Sequence, residues 1–149
     1  MAKIETTRFG RVEYNEEDII HFENGIPGFE KEQLFLLIQP DVDQPYAFLQ
    51  SVQTSELAFV IVNPFIFYPN YEFDLDEQSK EELEINNVED ITVWGILSIP
   101  EDFKKTTINL KAPVIINVKN RKGKQVILHD TLYEIKTPLF SQKLIEGVK

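Results

Sequence analysis

The sequence contains no cysteine, which removes disulfides, thiolate nucleophiles, iron–sulfur clusters and cysteine-ligated zinc together. Its two histidines, His21 and His129, lie far apart and have no neighbour at ligand spacing, so each reads as a solvated or hydrogen-bonded side chain. Asp74-x-Asp76-x-Gln78 opens like a calcium loop, but Ser79 stands in place of the required glycine and Ile85 in place of the closing carboxylate. No metal or cofactor is expected. Glycine is also scarce. The one close pair, Gly25-Ile26-Pro27-Gly28, lacks both the Gly-Lys-Ser/Thr ending and the third glycine of a phosphate loop, and reads as a shaped turn. No Gly-x-Ser-x-Gly elbow is present, and abundant carboxylates alone make no catalytic pair, so an enzyme is the disfavoured class. No run approaches the roughly 20 apolar residues that span a bilayer. The opening Ala-Lys-Ile-Glu-Thr-Thr-Arg has no apolar core of a signal peptide, and there is no Asn-x-Ser/Thr sequon. The expectation is a cytoplasmic protein without a membrane segment.

What is present is ample material for a core. The 149 residues are 42% hydrophobic and 11% aromatic, enough for one ordered domain. Strand signals dominate: Lys3 to Arg8 with Arg11 to Tyr14, Leu34 to Gln39, Tyr46 to Gln53, Leu57 to Val62, Ile91 to Ile99, Thr106 to Leu110, Pro113 to Lys119 and Gln125 to His129. Asn120 to Lys124 is expected to be the turn joining the last two. Alternation of Val114, Ile116 and Val118 with Ile115, Asn117 and Lys119 predicts an antiparallel sheet with one wet face. One helix is predicted from Asp76 to Leu83, with a capping residue and acids in its first turn. The fold class is therefore mainly β, a barrel or sandwich with one short helix. A single domain covers residues 1–140, and residues 141–149 are expected to form a frayed tail.

Charge is unevenly distributed. The net charge of −10 resolves into −17 over residues 1–103 and +7 over residues 104–149. Such an average opposes wholesale coating of nucleic acid. Residues 72–102 hold eleven acids and one base, Lys80. Just before them runs Asn63-Pro64-Phe65-Ile66-Phe67-Tyr68-Pro69-Asn70-Tyr71-Glu72-Phe73, whose prolines bar it from a central strand. Phe65 and Phe73 are expected in the core. Tyr68, Tyr71, Glu72, Asp74 and Asp76 are the candidate protein-binding residues, since aromatics rimmed by carboxylates suit a partner with apolar side chains and a basic surround. The basic pole, Lys119-Asn120-Arg121-Lys122-Gly123-Lys124, reads as a solubilising turn; the alternative is a small RNA-binding module, although no aromatic is interleaved for base stacking.

Five blocks in order then make the chain resemble the FliW family of flagellar assembly factors. They are Phe22-Glu23-Asn24-Gly25-Ile26-Pro27-Gly28-Phe29-Glu30, Phe48-Leu49-Gln50-Ser51, Leu57-Ala58-Phe59 leading into Asn63-Pro64, Thr107 to Asn117 (Thr-Ile-Asn-Leu-Lys-Ala-Pro-Val-Ile-Ile-Asn), and Gln125 to Leu128 followed by Tyr133. Many members carry Asp where this chain has Asn63. The resemblance implies a compact, monomeric, cytoplasmic β-barrel that binds newly made flagellin near its C-terminus. It also implies binding to CsrA, a dimeric RNA-binding repressor of flagellin mRNA translation, so that flagellin export frees the protein to relieve repression. It implies no direct contact with nucleic acid. Placing CsrA on the acidic stretch is an expectation from composition, not from a family motif.

Overall fold

Ten apolar side chains from six strands and one loop point at one another and close the sheet on itself. The computed structural model describes residues 2–140, so the expected tail at 141–149 lies outside the described residues. The strands are β1 (Ala2–Thr6), β2 (Gly10–Tyr14), β3 (Ile20–His21), β4 (Leu34–Ile38), β5 (Tyr46–Ser51), β6 (Ala58–Val62), β7 (Ile91–Ser98), β8 (Thr107–Ile108), β9 (Val114–Asn117), β10 (Lys122–Gln125) and β11 (Thr137–Pro138). Strands β3, β4, β5, β6, β7, β9 and β10 follow one another around a closed barrel. Closure pairs each of these strands on both sides over part of its length, while residues 91–94 of β7 pair with β9 alone. Strands β8 and β11 extend the far end of β7, and β1 with β2 forms a separate hairpin.

The barrel interior is filled by Ile20, Phe22, Ile26, Phe35, Ala47, Leu49, Ile61, Trp94, Val114 and Ile116. Each large apolar side chain buried here contributes roughly 1.5–3 kcal/mol. Barrel closure depends on Gly123 in β10. A Cβ there would stand 2.4 Å from the Phe22 ring, which fills the place a side chain would take. In the loop after β3, Gly25 has φ +67 and no room for a Cβ, which would meet the Glu30 backbone at 2.6 Å. The Gly25 to Gly28 turn is therefore structural, and Glu30 Oε2 already accepts the Gly28 N–H at 2.6 Å, leaving a carboxylate where a phosphate loop would hold an anion.

Three expectations need correction. The closing pair, β3 with β10, is parallel, through Lys122 opposite His21 and an N–H of His21 donated to the Arg121 carbonyl at 2.9 Å; the other barrel pairs are antiparallel. Lys122 to Gln125 is strand, not turn, and the turn falls at residues 118–121, where Arg121 adopts φ 55. Finally, β9 has no wet face: all four residues are buried. Its outer side, with Ile115, packs under Leu83, Val126 and Leu128.

Among the described residues two short α-helices are present instead of one. Helix α1 (Pro64–Phe67) follows from Asn63-Pro64: the Asn63 side-chain oxygen accepts the Phe65 N–H at 3.0 Å, and Pro64 occupies the first turn. Asn and Asp cap about equally well, so an aspartate at position 63 would serve the same structural role. Helix α2 (Glu77–Glu82) begins at Asp76, whose carboxylate accepts the Ser79 N–H at 2.8 Å, within the predicted range.

Candidate functional site

Residues 71–76 form an extended strap across the outside of the barrel. Side chains alternate along it: Tyr71, Phe73 and Leu75 turn inward, while Glu72, Asp74 and Asp76 are exposed. The period of two is that of a strand, though the strap lies outside the sheet. It is pinned from behind by residues near the C-terminus. The Tyr71 hydroxyl donates to the Leu110 carbonyl at 2.7 Å, the Glu72 N–H donates to the Tyr133 hydroxyl at 3.1 Å, and the Tyr71 and Tyr133 rings meet edge to face at 4.7 Å.

The five candidate residues therefore separate into two kinds. Glu72, Asp74 and Asp76 share the solvent side of one strap. Tyr71 is only 4% exposed, and burial, with Tyr133 beside it, pushes its hydroxyl well above the ordinary tyrosine range. It is a strut behind the acids rather than an exposed contact. Tyr68 is half-buried, its hydroxyl donating to the Pro138 carbonyl and its pKa raised by burial. The expectation for Phe65 is also corrected: it is 39% exposed and leans on Tyr71 at 5.7 Å. Phe73 is half-buried against the outer clusters, as expected.

Asp76, Glu77, Glu82 and Glu84 are engaged by side-chain or backbone partners, whereas Glu81, Glu89, Asp90 and Glu101 form no ion pair among the described residues. Hydrogen bonds from Ser79, helped by Lys124 and His129, hold the Asp76 carboxyl below the usual range. Glu82 accepts from Lys124 Nζ at 2.6 Å and from Gln78, which lower its pKa in the same way. Glu84 pairs with Lys122 at 3.0 Å and Glu77 with Lys80 at 3.3 Å. The acidic and basic poles of the sequence thus fold against each other along α2 and β10. Glu72 and Asp74 form no ion pair among the described residues. Of the basic run, Lys122 and Lys124 are tied down, which leaves Lys119 exposed and Arg121 half-buried in the turn. Among the described residues no group of three or more histidine, aspartate or glutamate side chains is placed to hold a metal.

Beside the strap lies an apolar groove of about 790 Å³. Its floor is the outer face of β7 and β9, with Ile91, Val93 and Ile115, and Phe65, Tyr71, Phe73, Ile85 and Val88 are prominent in its lining. Glu72 and Asp74 stand on its rim, with Lys80. Val88 is 83% exposed at this groove. Sequence reasoning missed it, although an apolar residue isolated among Asn86, Asn87, Glu89 and Asp90 was a usable signal.

Comparisons with known proteins agree along nearly the whole chain. The model of the FliW protein family matches residues 3–139. The flagellar assembly factor FliW of Bacillus subtilis (strain 168) is 49% identical over 136 residues, covering 91% of this chain and 95% of that protein. Its counterpart in Thermoanaerobacter pseudethanolicus is 44% identical over 141 residues, covering 94% of each. The crystal structure of a flagellar assembly factor FliW matches this fold with a TM-score of 0.89 at 46% identity, covering 95% of this chain and 99% of that one.

Proposed function

Because the chain belongs to the FliW family of flagellar assembly factors, we propose that it acts without catalysis, in the cytoplasm, by binding CsrA and flagellin in turn. Bound to flagellin it is silent; released by flagellin export, it captures CsrA and restores translation of flagellin mRNA. The observation that carries this reading is the strap, which holds Glu72, Asp74 and Asp76 outward on a rigid backing, with Glu72 and Asp74 free of ion pairs among the described residues. Carboxylates docked beside an RNA-binding surface lower the local potential and disfavour phosphate approach without touching the RNA contacts. Tyr68 and Tyr71 act by holding the strap in place.

An RNA release assay tests it. Adding the protein to a preformed complex of CsrA with flagellin leader RNA should free the RNA, and the protein alone should not shift that RNA. Tight binding of RNA by the protein itself, or an undisturbed complex at saturating protein, would contradict the proposal and favour a nucleic-acid role for the 119–124 segment.

A further inference from the structure

We infer that the unpaired edge of β7 at residues 91–94 receives an extended segment of the protein partner as an added strand, one in which apolar residues alternate with lysine or arginine. The inference rests on the reading above only in taking the partner to be a protein. Backbone groups along a strand point alternately to its two sides. The Asp90 carbonyl accepts from the Val118 N–H and the Ile96 carbonyl from that of Asn109, both on the side of β9 and β8. Thr92 and Trp94 share that phase, so Val93 points its N–H and C=O the other way, as Gly95 does. Gly95 meets Val62 at the end of β6. Two residues further, the same register would bring Pro64 opposite Val93, but proline has no N–H to give and opens α1 instead. Val93 is therefore left without a backbone partner among the described residues.

The apolar groove runs along this edge. Four consecutive residues, 91 to 94, line it, whereas a groove over one face of a strand would meet alternate residues. Trp94 packs its ring inside the barrel, so it reaches the groove through its backbone. A segment buried there must satisfy its N–H and C=O groups, and pairing with Val93 does so along one side. Phe65, Phe73, Ile85 and Val88 offer apolar walls to every second side chain. Charge selects the others. Glu72 and Asp74 stand on the rim without ion pairs among the described residues, whereas Lys80 is already matched by Glu77. Lysine or arginine between the apolar positions gains both carboxylates. A second copy of this chain, pairing edge to edge, would instead set its own Glu72 and Asp74 against them.

The probe is an end-capped, fluorescently labelled peptide of about nine residues in which valine alternates with lysine, long enough to cover the roughly 13 Å of edge. Its anisotropy should report saturable binding at low salt. In the free protein the Val93 amide should be at least about tenfold less protected from hydrogen exchange than those of Thr92 and Trp94, which face β9. Saturating peptide should slow Val93 by a similar factor. Two N-methylated peptides test whether backbone pairing is the cause. In a strand the valine amides point to one side and the lysine amides to the other. Methylating one set should weaken binding about tenfold or more, and methylating the other should be tolerated. A peptide with glutamate in place of lysine should bind more weakly. No saturable binding, an equal effect of the two methylations, or a Val93 amide as protected as its neighbours in the free protein overturns the inference. Val93 protection that rises with protein concentration in the absence of peptide assigns the edge to a second copy and overturns the partner. Release of RNA from CsrA by a protein that binds no peptide overturns the edge while leaving the function standing. Peptide binding that protects Val93, by a protein that releases no RNA, overturns the function while leaving the edge.

Discussion

Asn117 joins the barrel to the helix that carries the acidic strap, and its removal should cost more than that of any exposed residue nearby. It is 1% exposed at the end of β9. Its Nδ2 donates to the Leu83 carbonyl at 2.8 Å and the Glu84 carbonyl at 3.2 Å, while Oδ1 accepts the N–H groups of Lys119 at 3.0 Å and Asn120 at 3.2 Å. One side chain therefore ends α2 and shapes the 118–121 turn. The bond to Leu83 is fully buried, so Asn117→Ala orphans that carbonyl at about 1–3 kcal/mol; the other three are partly exposed, water replaces part of their loss, and the total comes to about 2–4 kcal/mol. In urea the midpoint should fall with an unchanged slope. In a thermal melt Tm should fall by roughly 5–15 °C, at about 2–4 °C per kcal/mol for a chain of this size. Native-state hydrogen exchange should show faster exchange at Glu84 and Ile85, which donate to Glu81 and Lys80 at the end of α2. A loss below about 0.5 kcal/mol, the range of ordinary surface substitutions, would refute the claim that α2 is anchored through this residue.

Other perturbations read other parts of the structure. Gly123→Ala drives a Cβ into the Phe22 ring and should destabilise by about 1–3 kcal/mol through overpacking, read by urea unfolding. Gly25→Ala adds backbone strain of about 1–2 kcal/mol at φ +67 to a clash with Glu30, and the same assay should show a loss of at least that size. Asp76 and Glu82 have folded-state pKa values below those of the unfolded chain. Their stabilisation is complete above the ordinary carboxylate range and is lost as pH falls through the folded values, so Glu82→Gln should flatten the acid limb of a stability–pH profile. Tyr71 has the opposite sign: its raised pKa gives stability that is full below about pH 10 and lost as pH rises further. Tyr71→Phe should cost about 1–3 kcal/mol at neutral pH by orphaning the buried Leu110 carbonyl, and unfolding between pH 8 and 11 should show its alkaline loss removed.

The strand content was legible because apolar and β-branched runs bounded by turn residues survive in the fold from β4 through β9. What escaped was set by distant chain. Lys122-Gly123-Lys124 reads as turn by composition, yet it is strand because the Phe22 ring supplies the apolar contact that Gly123 lacks. Asn117 and Lys119 imply a solvated face, but Leu83, Val126 and Leu128 arrive from elsewhere to cover it. Helix α1 was readable from the Asn63-Pro64 cap and first turn, had the second proline not drawn attention to what the segment could not be. Within the candidate site, the sequence placed the acids near one another but not on one side. Tyr71 looked available because nothing local announces the carbonyl of Leu110 or the ring of Tyr133 that bury it.

The central claim is that Glu72 and Asp74 make the contact with CsrA, and charge reversal tests it most directly. Asp76 needs separate treatment because it caps α2; Asp76→Asn keeps the cap, whereas Asp76→Lys would confuse lost binding with lost structure. The measurement is a calorimetric titration of CsrA into the parent and into the variant carrying Glu72→Lys, Asp74→Lys and Asp76→Asn, at low salt and at about 1 M, where the screening length shrinks to about 3 Å. The prediction is strong binding by the parent that weakens steeply with salt, and at least tenfold weaker, nearly salt-independent binding by the variant. Equal affinity of the two proteins at low salt would contradict it.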